Sequence, residues 1–225
     1  MKGLKKHIAL AAAFAALFTV VLLLVCTADV AAIGPEGTRV GLSHLNAAMA
    51  QAIGFHSGFF GFSEWLGDLA IVVVFAFACV GLVQLVRRKR LRKVDREILA
   101  LGALYVAIGL LYVLFEKAVV NYRPVILPGE TGPEASFPSS HTMLACVVFG
   151  SAALLSTRYG KDAVTRKLLA LLCWLLASAT VILRLLSGAH WATDIAAGVL
   201  LSAALLEAYA AVIAKDGRTS AGEAS

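Results

Sequence analysis

The chain has 225 residues, 60% of them hydrophobic, with a mean hydropathy of +0.85 and a formal net charge of +6. A soluble domain of this length sits near half apolar, so this composition excludes an ordinary soluble globular domain. The apolar residues gather in blocks that approach the roughly 20 residues needed to cross a bilayer as a helix, which predicts an all-α, polytopic membrane protein.

Six spans are expected, forming one six-transmembrane-helix bundle over 1–225 with no room for a separate soluble domain. The first, Ile8 to Cys26, follows the basic "MKGLKKH". It reads as a retained helix, being long for a signal-peptide core and followed by no small-x-small cleavage site. An outer loop, 27–68, comes next. Leu42, Leu45, Met49 and Ile53 lie at helical spacing within it and predict an interfacial helix packed over the bundle. The aromatics of "GFHSGFFGFSEW" suit a membrane interface, and His44 and His56 read as surface residues. The second span is Leu69 to Val86 and the third Ile98 to Phe115. The fourth starts at the serine pair Ser139 and Ser140 and ends near Ser156. The fifth is Leu168 to Leu186, and the sixth runs from about Asp194 to Ala214. Glu207, inside the sixth, faces the bundle or snorkels inward, with no role assigned. Cys26, Cys79, Cys146 and Cys173 are scattered in apolar runs and read as buried thiols. The tail 215–225 reads as disordered.

Basic residues set the orientation. Of 20 Lys and Arg, 16 fall at the amino terminus, in "RRKRLRKVDR", in "RYGKDAVTRK" and in the tail. The positive-inside rule puts these in the cytoplasm with both termini. The net charge is therefore a topology signal and not a nucleic-acid site, although the basic loop also suits anionic headgroups. Arg39, Lys117, Arg123 and Arg184 remain on the extracytoplasmic side. Charge close to a helix end within the membrane is expensive and is usually functional.

Two stretches on that side carry chemistry. In "FPSSHTMLACVVFG", a serine can cap the helix, and the free N–H groups of the first turn form an anion site. His141 sits in that turn, ready to hand a proton to a leaving oxygen. In "LRLLSGAHWATDIAAG", His190 and Asp194 are four apart, which on a helix places them on one face. The aspartate can then accept from one imidazole nitrogen and leave the other free to attack. Arg184 can fork onto two phosphate oxygens. No Cys/His or carboxylate cluster has metal-ligand spacing, so no metal or other cofactor is expected.

Together, "NYRP", "FPSSH" and "RLLSGAHWATD" resemble the three signature segments of the type 2 phosphatidic acid phosphatase superfamily. That family includes membrane lipid phosphatases and soluble vanadium haloperoxidases. The third segment matches R-x5-H-x3-D. The second matches P-S-G-H with Ser140 in place of the glycine. The first matches only its Arg-Pro end. The family's lysine position is Glu116 here, and Lys117 is one residue late, a turn of about 100° on a helix. The family's serine before the third-segment Arg is Leu183.

The resemblance implies a metal-free phosphohydrolase acting through a phosphohistidine. His190 would attack phosphorus and Asp194 would hold and polarise it. Arg123, Arg184, the N–H groups near Ser139 and Ser140, and Lys117 would grip the phosphate. His141 would protonate the leaving group and then activate water. The expected partners are membrane lipids and a lipid phosphate substrate, either an undecaprenyl diphosphate-like isoprenyl diphosphate or a phosphatidic acid-like diacylglycerol phosphate. Two other readings stand beside this one: a phosphotransferase using the same intermediate, and a non-enzymatic anion-binding membrane protein. Neither the repeats nor the paired broken helices of many transporters are visible. A cysteine placed at Gly132 in a cysteine-free background should react with an impermeant maleimide in intact cells. One placed at Lys161 should react only after lysis, and the reverse pattern would invert the orientation.

Overall fold

A computed structural model describes residues 2–159 and 162–216. Lys161 and the residues from 217 onward lie outside the described residues, and of the tail expected to be disordered from 215, Lys215 and Asp216 instead end the last helix. Seven α-helices are present among the described residues: α1 (Lys2–Thr27), α2 (Ser43–Ile53), α3 (Ser57–Arg88), α4 (Arg96–Lys117), α5 (Ser140–Tyr159), α6 (Ala163–Leu186) and α7 (Ala192–Asp216). All but α2 are long and apolar enough to cross a membrane. The protein is an all-α, multi-pass membrane protein.

The organising helix is α5, the least apolar and most buried of the six. A central helix touches protein on all sides, so it can carry small and polar residues that a lipid-facing helix cannot. One side of it packs Met143, Val147 and Leu155 against Leu101, Leu104 and Ile108 of α4 and Tyr209 and Ile213 of α7. Its other side packs Ala145, Val148 and Phe149 against Ala70 of α3 and Ala177 of α6. Peripheral α1 rests on α7. His7 Nδ1 and Glu207 Oε2 are 2.6 Å apart across that contact. This gives Glu207 its role: it pairs with α1.

Three expectations change. The second membrane helix begins at Ser57, not Leu69, so "SGFFGFSEWLGD" is helical and the extended connection ends at His56. Its glycines read as loop residues in sequence, but Gly67 is where the His141 ring lies against the helix. A Cβ there would stand 2.6 Å from His141 Cδ2. The cysteines are free, and Cys26 and Cys79 are exposed, not buried. A thiol on a membrane helix has apolar neighbours in sequence whether it faces core or lipid. Finally, the interfacial helix exists as α2, but only part of its apolar stripe packs: Leu42 rests on the Phe18, Val25 and Phe137 cluster, whereas Leu45 is exposed.

Polar contacts anchor α2 as well. Asp29 accepts from Ser43 Oγ and from the His44 N–H, both at 2.9 Å. Buried Asn46 donates to Gly41 O and Thr193 Oγ1, both at 2.9 Å, and accepts from the Thr193 N–H at 3.3 Å. It thereby ties α2 to the first turn of α7. His44 and His56 are exposed, as expected. Asn46→Ala should cost about 1–3 kcal/mol by stranding buried partners. A thermal melt in detergent would read this, and an unchanged melting temperature would show that α2 is held elsewhere.

Candidate active site

The site lies at the end of the bundle where α4 and α6 finish and α5 and α7 begin. Ser139 is the N-cap of α5: its carbonyl accepts from the Met143 N–H at 3.0 Å and its Oγ from the Thr142 N–H at 3.4 Å. His141 follows in the first turn. Its own N–H occupied, Ser139 donates to Asp194 O at 3.1 Å, so that amide is not free for phosphate. Ser140 lines the large cavity described below.

Arg184 sits in the last turn of α6, and Ser187 Oγ closes that end by donating to Arg184 O at 2.7 Å. Gly188 then turns the chain with φ +64°. A Cβ at that position would stand 1.9 Å from Gly54 O, so the turn requires glycine on both counts. The turn delivers His190 one residue before Trp191, the N-cap of α7. Asp194 Oδ2 accepts from the Trp191 N–H at 3.1 Å, the backward half of a capping box.

The expected His190–Asp194 pair is present at ion-pair distance, not as a hydrogen bond. His190 lies outside the helix, so the two side chains meet across the start of α7 and not along one helix face. Nδ1 of His190 faces Ser136 O at 3.2 Å, whereas Asp194 Oδ2 is 3.7 Å away, beyond hydrogen-bond range. The carboxylate is spent on the Trp191 amide and on Asn121 Nδ2, at 3.3 Å.

Arg123 arrives on the segment joining α4 to α5, which doubles back on itself. Arg123 N–H donates to Glu134 O, and Ser136 N–H to Asn121 O, both at 2.9 Å. Trp191 Nε1 pins this segment by donating to Tyr122 O at 2.6 Å. Arg123 NH1 then lies 2.9 Å from His190 Nε2, while its Nε pairs with Glu134 Oε2 at 3.1 Å.

Arg184 is fully buried, and each of its four terminal N–H groups has an acceptor. NH1 donates to Ser63 Oγ at 3.0 Å and to Glu64 Oε1 at 2.5 Å. NH2 lies 3.0 Å from His141 Nδ1 and 3.4 Å from His190 Nε2. The Phe60 ring sits 5.0 Å from the guanidinium carbon, within cation–π range.

These contacts fix the tautomers. An arginine only donates, so His190 Nε2 and His141 Nδ1 must accept. The His190 proton therefore sits on Nδ1, toward Ser136 O, and the lone pair on Nε2. Burial, then the charges of Arg123 and Arg184, hold the His190 imidazole well below its ordinary range, keeping it neutral. On neutral His141 the proton sits on Nε2, 3.3 Å from Glu64 Oε2.

Five expected residues thus meet: His141, His190 and Asp194 with Arg123 and Arg184, with Ser139 knitting two of their helices together. Lys117 is exposed at the last position of α4, and it is Glu116 that lines the cavity. Sequence reading missed Glu64, Ser63, Ser136, Asn121 and Glu134. For Glu64 a signal existed, an acid in an apolar stretch opposite an unpaired arginine. Nothing in sequence marks the Ser136 carbonyl.

A cavity of ≈ 540 Å³ ends at this cluster. Ile71, Val74 and Phe75 of α3 with Ile108 and Gly109 of α4 form its apolar part, and Arg123, Glu134, Ser140 and His141 its polar end. His190 stands behind, on a small pocket of ≈ 20 Å³ shared with Glu116 and Ser136. Among the described residues no group of three or more His, Cys, Asp or Glu is placed to hold a metal ion.

The family model described as the PAP2 superfamily matches residues 97–218. The chain belongs to the PAP2 superfamily. All five clustered residues of this PAP2 protein fall within the matched stretch, whereas α3 precedes it. No curated protein matches the chain. Among solved structures, the fold is similar to the crystal structure of the first transmembrane PAP2 type phosphatidylglycerolphosphate phosphatase from Bacillus subtilis. The TM-score is 0.65 at 18% identity, covering 93% of this chain and 96% of that one.

In protein labelled with 15N-histidine, His190 should be neutral at pH 6 with its proton on Nδ1. Arg123→Gln removes one of the charges that depress it and should move its titration upward. A charged His190 at pH 6 in the wild type would contradict the arrangement.

Proposed function

We propose that the protein is a membrane lipid phosphatase that works through a phosphohistidine on His190 at the extracytoplasmic face. The observation that carries this reading is the meeting of two guanidinium groups at the unprotonated nitrogen of a neutral histidine, behind the polar end of an apolar cavity. Phosphoryl transfer is largely positioning and electrostatic stabilisation, which arginines can supply.

In the first step His190 Nε2 forms a bond to phosphorus as the bond to the leaving oxygen breaks. His141, protonated on both ring nitrogens once phosphoryl oxygens have drawn Arg184 away from its Nδ1, gives its Nε2 proton to that oxygen and is left as a neutral imidazole. Ser136 O accepts from Nδ1 of His190 and supports the positive charge gained by the ring. Asp194, 3.7 Å away, adds a longer-range field while holding the Trp191 turn. Arg123 and Arg184 bind the equatorial phosphoryl oxygens. In the second step His141 takes a proton from water, the water oxygen bonds to phosphorus, and the P–N bond breaks to release inorganic phosphate. The apolar part of the cavity suits an acyl or isoprenyl chain. Undecaprenyl diphosphate-like and phosphatidic acid-like lipids are candidate substrates, and the Bacillus subtilis protein's name adds phosphatidylglycerolphosphate. The extracytoplasmic placement follows from the distribution of the basic residues.

Phosphate release from a panel of these lipids, by purified protein in detergent and EDTA, tests the reading. Wild type should release phosphate, His190→Ala should abolish turnover, and His141→Ala should lower it by about 10²–10⁴-fold. Labelled phosphate should be trapped on His190 in denatured wild type. Wild-type turnover by His190→Ala would overturn the mechanism.

A further inference from the structure

One face of α3 is shaped around the two groups proposed to bind and protonate. Phe60, Ser63, Glu64 and Gly67 lie at helical i, i+3, i+4 and i+7 spacing. Phe60 underlies the Arg184 guanidinium, Ser63 and Glu64 accept from its NH1, and Gly67 leaves room for the His141 ring. The Glu64 carboxylate bridges the pair, with Oε1 2.5 Å from Arg184 NH1 and Oε2 3.3 Å from His141 Nε2. Arg184 is fully buried, but the Glu64 side chain is 39% exposed. One partner is therefore fixed while the other can swing away.

We propose that Glu64 is the resident counter-anion of the phosphate site, a positioning residue displaced when phosphoryl oxygens arrive. This rests on the phosphatase reading above. In the resting protein Glu64 neutralises Arg184 and holds the His141 proton on Nε2, the nitrogen that must protonate the leaving group. A phosphoryl group competes for the same guanidinium, and two anions on one cation repel. Glu64 therefore weakens phosphate binding, product phosphate included, while orienting the His141 Nε2–H in the resting site. A purely structural counter-ion would do the opposite: without it, Arg184 would lose its place and phosphate would bind less well.

The test compares wild type, E64Q, E64A and E64D as purified full chains in detergent, with inorganic phosphate titrated calorimetrically and as a product inhibitor. E64Q should bind inorganic phosphate about tenfold more tightly. It should also show a lower KM for the lipid phosphate and a lower kcat, because His141 loses the acceptor that orients it. E64D keeps the charge and should bind phosphate within about threefold of wild type. E64A makes the same measurement where the amide disturbs the α3 face, and a thermal melt confirms folding of each variant. Equal or weaker phosphate binding by folded E64Q or E64A would overturn the proposal, and an unchanged kcat would overturn the positioning of His141. The two readings fail differently. If the phosphatase reading is wrong, no variant releases phosphate from lipid, and the titration alone decides the role of Glu64. If only the role of Glu64 is wrong, wild type turns over and E64Q titrates like it.

Discussion

A guanidinium buried to zero exposure inside a membrane protein is the constraint from which the site end of the bundle follows. Breaking a buried charge pair typically costs about 3–5 kcal/mol, so the fold must surround Arg184 with acceptors. It does so from three directions. Ser63 and Glu64 come from α3, His141 from the start of α5, and His190 from the turn after Arg184 itself. The depth of α3, its helical continuation through residues that read as loop, and the absence of a side chain at Gly67 all serve that enclosure. The donors that stabilise the fold are also those a phosphoryl group would use. In the phosphatase reading, folding and phosphate binding draw on the same N–H groups.

What was legible in the sequence was polarity out of place. His141, Arg184, His190 and Asp194 stand against apolar neighbours, and a charge there has few innocent explanations. Spans were legible for the same reason in reverse. Less legible was anything that depends on where a helix begins. The spacing of His190 and Asp194 suggested a helical pair, but α7 starts between them, and the acid became a cap. The start of α3 was missed because glycine and aromatic residues look the same in a loop and in a membrane helix. Glu64 was lost with it. Lys117 and Glu116 differ by one register position, and only the end of α4 decides which of them faces the cavity.

The arrangement around His190 also shows how a backbone can replace a side chain. A hydrolase triad orients its imidazole with a carboxylate. Here a carbonyl, Ser136 O, takes the Nδ1 proton. That carbonyl is held because Ser136 N–H is paired to Asn121 O, and Asn121 in turn reaches Asp194. The aspartate thus reaches the histidine both through the loop and the turn it secures and directly, at 3.7 Å.

The Ser139 N–H to Asp194 O bond places the starts of α5 and α7 side by side. Each helix start carries a partial positive charge equivalent to roughly half an elementary unit, from backbone dipoles. At α7 the Asp194 carboxylate caps this charge, so the end of α5 contributes the larger share of it beside the site. In the phosphatase reading, stripping the charge from position 123 or 184 would thus lower the attraction for phosphate without erasing it. In that reading the residual pull belongs to the architecture, to the way the two helices abut.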